Sequence, residues 1–199
     1  MFTLNPKLEK MLKIQGHHTI ESYYQLTQNE YRTFREHLPN FPKTILDLGC
    51  GLGRVSAYIN KMHDAKDTKY ILADSSIISP TITMGWDPGE SWYNDLSLTK
   101  EFCDLNRLVN YKILDLTNDR LILLKDIDLV YSFMAVGFHY PIETYCYILK
   151  KIMNKDGTMI FGVRKGKYEN STLLSYFKFA QFYDIPNEEK EKVLVLKGW

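Results

Sequence analysis

Apolar positions along this chain follow two periods, and the pattern switches between them repeatedly. In the first forty residues Tyr23, Leu26, Tyr31, Phe34 and Leu38 fall near a 3.6-residue period, which Pro39 and Pro42 break. This predicts a helical cap, residues 1–40, ahead of an α/β core, 41–199, in a single domain. From Thr44 onward short apolar runs alternate with helical patterns. Strands are predicted at 44–48, 69–73, 110–114, 128–133, 158–164 and 192–197. Helices are predicted at 54–63, where Val55, Tyr58, Ile59 and Met62 share a face, and at 95–108, 117–125, 141–153 and 171–183. Asp156-Gly157 reads as a turn. The alternation predicts an α/β fold, a three-layer α/β/α sandwich around a mostly parallel sheet, with the N-terminal helices as an extension. The link 75–93 is long for a strand-to-helix connection, and loops of that length are often functional.

The candidate chemistry concentrates where the first strand ends. Residues 45–54 read Ile-Leu-Asp-Leu-Gly-Cys-Gly-Leu-Gly-Arg. Strand, glycine turn and helix start together suit a nucleotide-like ligand. Glycines let the backbone turn sharply and approach a ligand, and a helix N-terminus offers free N–H groups. A tight strand-to-helix turn with no ligand is the plainer alternative. A dinucleotide fingerprint requires G-x-G-x-x-G, and Arg54 stands where its third glycine would fall, which argues against an NAD-dependent oxidoreductase. Cys50, between two glycines, reads as a small turn residue rather than a nucleophile.

The run Leu46-Asp47-Leu48-Gly49 with Gly51 and Gly53 resembles motif I of the class I, Rossmann-like methyltransferases that use S-adenosylmethionine (SAM). The resemblance covers roughly residues 40–165. It implies SAM as cofactor and S-adenosylhomocysteine as product. It places Asp47 near the methionine end of the cofactor, with Gly49, Cys50, Gly51 and Gly53 passing beneath. In an open parallel sheet, ligands bind beyond the carboxyl ends of the strands, so the residues after each strand are the informative ones. Asp74, followed by Ser75, is placed to accept hydrogen bonds from ribose hydroxyls. Asp115, followed by Leu116, falls where the family sets an acid on the adenine amino group; capping a helix near Thr117 is the competing role. Ser132 and Phe133 open the family's motif IV, close to the transferable methyl group. His139, with Tyr140 beside it, is the candidate general base, since an imidazole titrates near pH 6.5. Capping the helix after Pro141 is the alternative for His139.

The same segment narrows the acceptor. Positions 131–140 hold no carboxylate for a divalent cation, so metal independence is expected. They also lack the Asn- or Asp-Pro-Pro-aromatic run of amino-methylating enzymes. Ser132-Phe133-x-x-x-Gly137-Phe138-His139-Tyr140-Pro141 is similar to bacterial sugar O-methyltransferases, some from capsule clusters that make O-methyl phosphoramidate decorations. The resemblance therefore implies O-methylation of a small sugar, nucleotide-sugar or phosphate-type acceptor. Trp86, Trp92 and Tyr93 could stack on a sugar or base, or simply pack the long link down. Arg164 and Lys165 could meet a phosphate, or be solvated charges.

Bulk properties exclude other classes. Lys and Arg number 25 against 24 Asp and Glu, so the chain lacks the basic footprint expected of a nucleic-acid partner. No apolar run is long enough to span a bilayer and no signal peptide opens the chain, so no membrane partner is expected. Cys50, Cys103 and Cys146 are odd in number and widely spaced, as reduced thiols of a cytoplasmic protein would be. His17 and His18 read as exposed loop residues, with a mobile lid as the alternative. Many members of the family end in an antiparallel hairpin, of which only one strand, 192–197, is legible. That leaves open that the chain belongs to a longer protein. Two rival functions remain at this level: a non-catalytic SAM-binding module, and a methyltransferase acting on another small molecule or on nucleic acid.

Overall fold

The computed structural model describes residues 1–14, 19–40, 42–63, 67–76 and 94–199. Helices α1 (Pro6–Ile14) and α2 (Ile20–Phe34) precede β1 (Thr44–Leu48). Then follow α3 (Arg54–His63), β2 (Lys69–Asp74), α4 (Leu96–Leu105), β3 (Tyr111–Asp115), β4 (Ile127–Ser132), α5 (Glu143–Ile152) and β5 (Met153–Arg164). The chain closes with α6 (Asn170–Leu174), β6 (Phe179–Asp184) and β7 (Glu191–Lys197). The seven strands form one sheet in the order β3-β2-β1-β4-β5-β7-β6. β1 to β5 pair in parallel, and β7 runs antiparallel between β5 and β6.

Successive residues of a strand point to opposite faces, and both faces here are apolar. Ile45, Tyr70, Leu72, Leu129, Tyr131 and Ile160 pack on one side with residues of α1, α2, α3 and α4. Leu46, Ile71, Val130, Met159, Phe161 and Leu194 pack on the other with residues of α5 and α6. This is the three-layer sandwich that the alternation predicts. Among the described residues no helix is long and apolar enough to cross a membrane.

α2 starts where Thr19 accepts a hydrogen bond from the Ser22 backbone N–H at 3.1 Å, half of a reciprocal capping box. Its buried stripe differs from the one expected. Tyr23, Thr27, Glu30 and Phe34 are buried while Leu26 is only half-buried, so two polar residues face the sheet.

Two predicted helices are corrected. The segment 117–125 holds only a 3-10 turn at Leu121–Leu123. Thr117, Asn118 and Asp119 favour turns, and Leu121 alone of that turn is buried. The predicted helix 171–183 stops at Leu174, and its second half is β6. The terminal antiparallel hairpin, half legible in the sequence, is therefore present as β6 and β7. β5 also begins at Met153, five residues before the predicted strand, and carries Asp156 and Gly157 within it. The register with β4 shifts between Ile127 and Leu129, which absorbs the irregularity.

Candidate active site

The sheet changes direction at β1. β2 and β3 lie to one side of it and β4 and β5 to the other, so the loops leaving β1 and β4 diverge and open a crevice at the carboxyl ends of the strands. The first loop is the glycine turn. Gly49 has φ +71° and donates its N–H to the Ala73 carbonyl at 2.7 Å. A Cβ added there would overlap the Cβ of Ala135, so the loops after β1 and β4 approach with no room for a side chain. Gly53, at φ +82°, turns the chain into α3.

β2 contributes Asp74. One carboxylate oxygen accepts the Gly51 N–H at 2.8 Å and the other accepts the Ser75 N–H at 2.7 Å. Burial raises its pKa to about 6, against the pull of those two N–H groups and of Asn94. The acid at the end of β2 thus holds the glycine turn of β1.

After β4 the chain folds into a tight knot. The buried Ser132 Oγ accepts the Val136 N–H at 2.9 Å. The Ala135 carbonyl accepts the N–H groups of Phe138, His139 and Tyr140 at 3.1, 2.7 and 3.1 Å. Gly137 O accepts the Arg164 N–H at 3.4 Å, which ties the knot to the end of β5. Met134 sits in the left-handed region at φ +61°, a conformation that costs a side-chain-bearing residue on the order of 1–3 kcal/mol. The His139 ring is buried and meets the Phe138 ring edge-on at 5.2 Å.

A cleft forms between these loops. Gly49, Cys50, Gly51, Asp74 and Ser75 line one side of it, and Leu116, Phe133, His139 and Tyr140 also border it. A sheet, a crevice at its switch point and a glycine turn braced by the acid of the next strand now stand together. They match solved structures of methyltransferases. A Nostoc punctiforme protein named as an O-methyltransferase superposes over 87% of this chain with TM-score 0.61 and 12% identity, and this chain spans 56% of its length. The precorrin-6y C5,15-methyltransferase of Geobacter metallireducens superposes over 100% of this chain and 94% of its own, with TM-score 0.54 and 12% identity. A Listeria monocytogenes protein named as a SAM-dependent methyltransferase covers 86% of this chain and 99% of its own, with TM-score 0.53 and 15% identity. The fold is that of the class I methyltransferases. No family model matches the sequence, and no curated protein sequence matches it either.

Other residues singled out in the sequence lie outside the cleft of this methyltransferase fold. Asp47 is buried beneath the glycine turn and accepts a hydrogen bond from Ser56 Oγ at 2.8 Å, which lies 2.5 Å from the Tyr131 hydroxyl. Burial raises the Asp47 pKa to about 7. Gly53 donates its N–H to the Cys50 carbonyl at 2.8 Å within the first loop, and Ser132 holds the second through the Val136 N–H. Asp115 spends its carboxylate on a turn, accepting from Thr117 N–H at 3.0 Å and Thr117 Oγ at 2.7 Å, and these bonds lower its pKa. Arg164 stacks on Phe138 with the guanidinium carbon 4.5 Å from the ring centre. Lys165 reaches the Glu188 carbonyl at 3.2 Å and stands 3.6 Å from Asp184. Burial pushes the Cys50 thiol well up, as befits a turn residue. Trp86, Trp92 and Tyr93, like His17 and His18, lie outside the described residues. Among the described residues no group of three or more His, Cys, Asp or Glu side chains is placed to hold a metal ion.

Among the side chains that border the cleft, the sequence reading missed Tyr23, Arg54 and Tyr145. Arg54 is the first residue of α3, and its guanidinium pairs bidentately with the buried Glu30 of α2. A glutamate on the apolar stripe of α2 was the available signal, since a buried carboxylate needs a partner.

Proposed function

We propose that this chain binds SAM in the cleft and transfers its methyl group to an oxygen of a small-molecule acceptor. The observation that carries this is the Gly51–Asp74 hydrogen bond across the ends of β1 and β2, with both residues bordering the cleft. The residues present fit the cofactor. Asp74 retains lone pairs beyond those that Gly51 and Ser75 use, and ribose hydroxyls would donate to them. Phe133, Met134, Tyr140 and Tyr145 offer aromatic and thioether surface, which suits a sulfonium and a flat base.

When bound, SAM supplies an activated methyl group for in-line displacement. The protein's contribution is alignment and exclusion of water. The knot after β4 fixes His139 through its backbone and its contact with Phe138. From the cleft wall its imidazole would take the hydroxyl proton of the acceptor. Tyr140 borders the same space and would orient the acceptor. We assign no metal to the reaction.

The Ser132–Pro141 run supports a finer reading, a sugar-type acceptor of bacterial surface polysaccharide, including O-methyl phosphoramidate chemistry. Neither Arg164 nor Lys165 borders the cleft, so a phosphate on the acceptor would need other contacts. A non-catalytic SAM-binding module would keep Asp74 and have no use for His139.

Calorimetric titration with S-adenosylhomocysteine tests the reading. The wild type should bind it, and Asp74→Asn should weaken binding about 10- to 100-fold, the worth of hydrogen bonds to a charged acceptor. His139→Ala should leave that affinity in place and slow transfer from labelled SAM to a panel of sugars by about 10²- to 10⁴-fold. A wild type with no affinity for SAM or S-adenosylhomocysteine sinks the proposal, and unchanged turnover in His139→Ala removes the base.

A further inference from the structure

The glycine turn is gripped from a side that the mechanism above does not use. α4 starts at a cap, where the Asp95 carboxylate accepts the Ser97 N–H at 2.9 Å, and this fixes where the helix meets the turn. Thr99 and Cys103 lie four residues apart, on one face of α4. Both are buried against the turn. The Thr99 hydroxyl donates to the Gly51 carbonyl at 2.6 Å, and the Cys103 thiol to the Leu52 carbonyl at 3.8 Å. A hydroxyl has one proton to give. At 2.6 Å against 3.4 Å, Gly51 holds it in preference to the Asp95 carbonyl, the back-bond open to a helical threonine. Asn94, just ahead of the cap, is buried as well. Its Nδ2 donates to the same Gly51 carbonyl at 3.4 Å, and its side chain also bonds Asp74. The amide serves these two acceptors while its own Oδ1 is buried with no partner among the described residues.

Gly51 is therefore held on both sides, its N–H by Asp74 and its carbonyl by Thr99 and Asn94. These bonds fall on successive peptide groups, so together they fix φ and ψ of a residue that has no side chain to do so. Releasing the carbonyl frees ψ and lets the turn drift from Asp74. We propose that Thr99 and Asn94 are positioning residues for the donor: α4 locks Gly51 so that its N–H holds Asp74 in the orientation that receives the pentose. Neither residue borders the cleft, so each acts through Gly51 and Asp74, which do. This rests on the donor reading given above and deepens it, because it makes the start of α4 a support of the donor site.

The test is calorimetric titration of the full chain with S-adenosylhomocysteine, run beside urea unfolding. Thr99→Val keeps the shape of the side chain and loses its proton donor. It should bind about 5- to 30-fold more weakly than the wild type, the effect of leaving one buried acceptor unpaired. Thr99→Ser keeps the hydroxyl and loses a buried methyl group. It should bind within about threefold of the wild type, even where urea shows it to be the less stable of the two variants. The order is decisive: a role for the hydroxyl ranks Ser above Val in affinity, and a role in packing alone ranks Val above Ser. Asn94→Ala removes the second donor and should weaken binding by about 3- to 10-fold. It decides the matter if Thr99→Val shows no cooperative unfolding transition. The inference is overturned if Thr99→Val binds as the wild type does, if Thr99→Ser loses as much as Thr99→Val or more, or if Asn94→Ala leaves the affinity unchanged. A wild type that binds neither SAM nor S-adenosylhomocysteine is a different failure, that of the donor reading itself.

Discussion

Asp47 shows how a single residue can be legible in type while its surroundings are not. Its position before the glycines marks it, yet its carboxyl faces Ser56 and Tyr131 on the buried side of the sheet. Burial lifts its pKa from 3.8 to about 7. The folded protein therefore holds a proton that the unfolded chain has released between about pH 4 and 7, and stability falls as pH rises through that window. Asp74, raised to about 6, acts in the same direction over the lower part of it. Asp47→Asn carries no charge to bury. It should unfold at higher urea than the wild type at pH 8, by a gain on the order of 3 kcal/mol, and converge with it near pH 4. Parallel pH profiles for the two proteins would show that Asp47 does not titrate in this range. Asp74 and His139 were found because each follows a strand end, where topology leaves residues facing a crevice. Arg54 was passed over because it reads as an ordinary helix start, and its partner Glu30 lies far upstream in the chain.

Among the elements, β6 explains why the second half of the predicted helix failed. Phe179, Phe182 and Tyr183 are spaced i, i+3 and i+4, a helical signal. In the sheet Phe179 and Tyr183 pack on one face and Ala180 and Phe182 on the other. A strand with apolar residues on both faces has no alternation to read, so only its pairing with β7 distinguishes it from a helix. The strands β1 to β4 were legible because each is an apolar run bounded by turn residues. α2 was legible by period, though not by composition, because its stripe includes Thr27 and Glu30. Its start depends on the Thr19 cap. Thr19→Ala removes the acceptor for the Ser22 N–H and should cost about 1 kcal/mol in urea unfolding, with the same cooperative transition. A loss below about 0.3 kcal/mol would mean that packing on the sheet alone sets the start of α2.

At the scale of the molecule, the two helical layers make unequal contributions to the cleft. The α5 and α6 layer borders it through Tyr145 of α5 alone among the described residues. The α2 layer reaches the cleft itself, through Tyr23, through Glu30 on Arg54, and through Phe34. Phe34 is fully buried and stacks on Phe133 with ring centres 5.4 Å apart and planes 29° from parallel. Phe133 in turn borders the cleft at the end of β4. Removing either of two core side chains should therefore cost similar stability with different consequences for ligand. Phe34→Ala should lose about 3–5 kcal/mol and Leu149→Ala, in the other layer, about 2–5 kcal/mol. S-adenosylhomocysteine raises the melting temperature of any variant according to its affinity for the folded state. With Leu149→Ala that rise should match the wild type. With Phe34→Ala it should shrink, because a loosened Phe133 and a loosened α2 hold the ligand less well. Equal rises in both variants would reduce α2 to a structural cap, whereas a selective fall with Phe34→Ala would make the N-terminal helices part of the binding site.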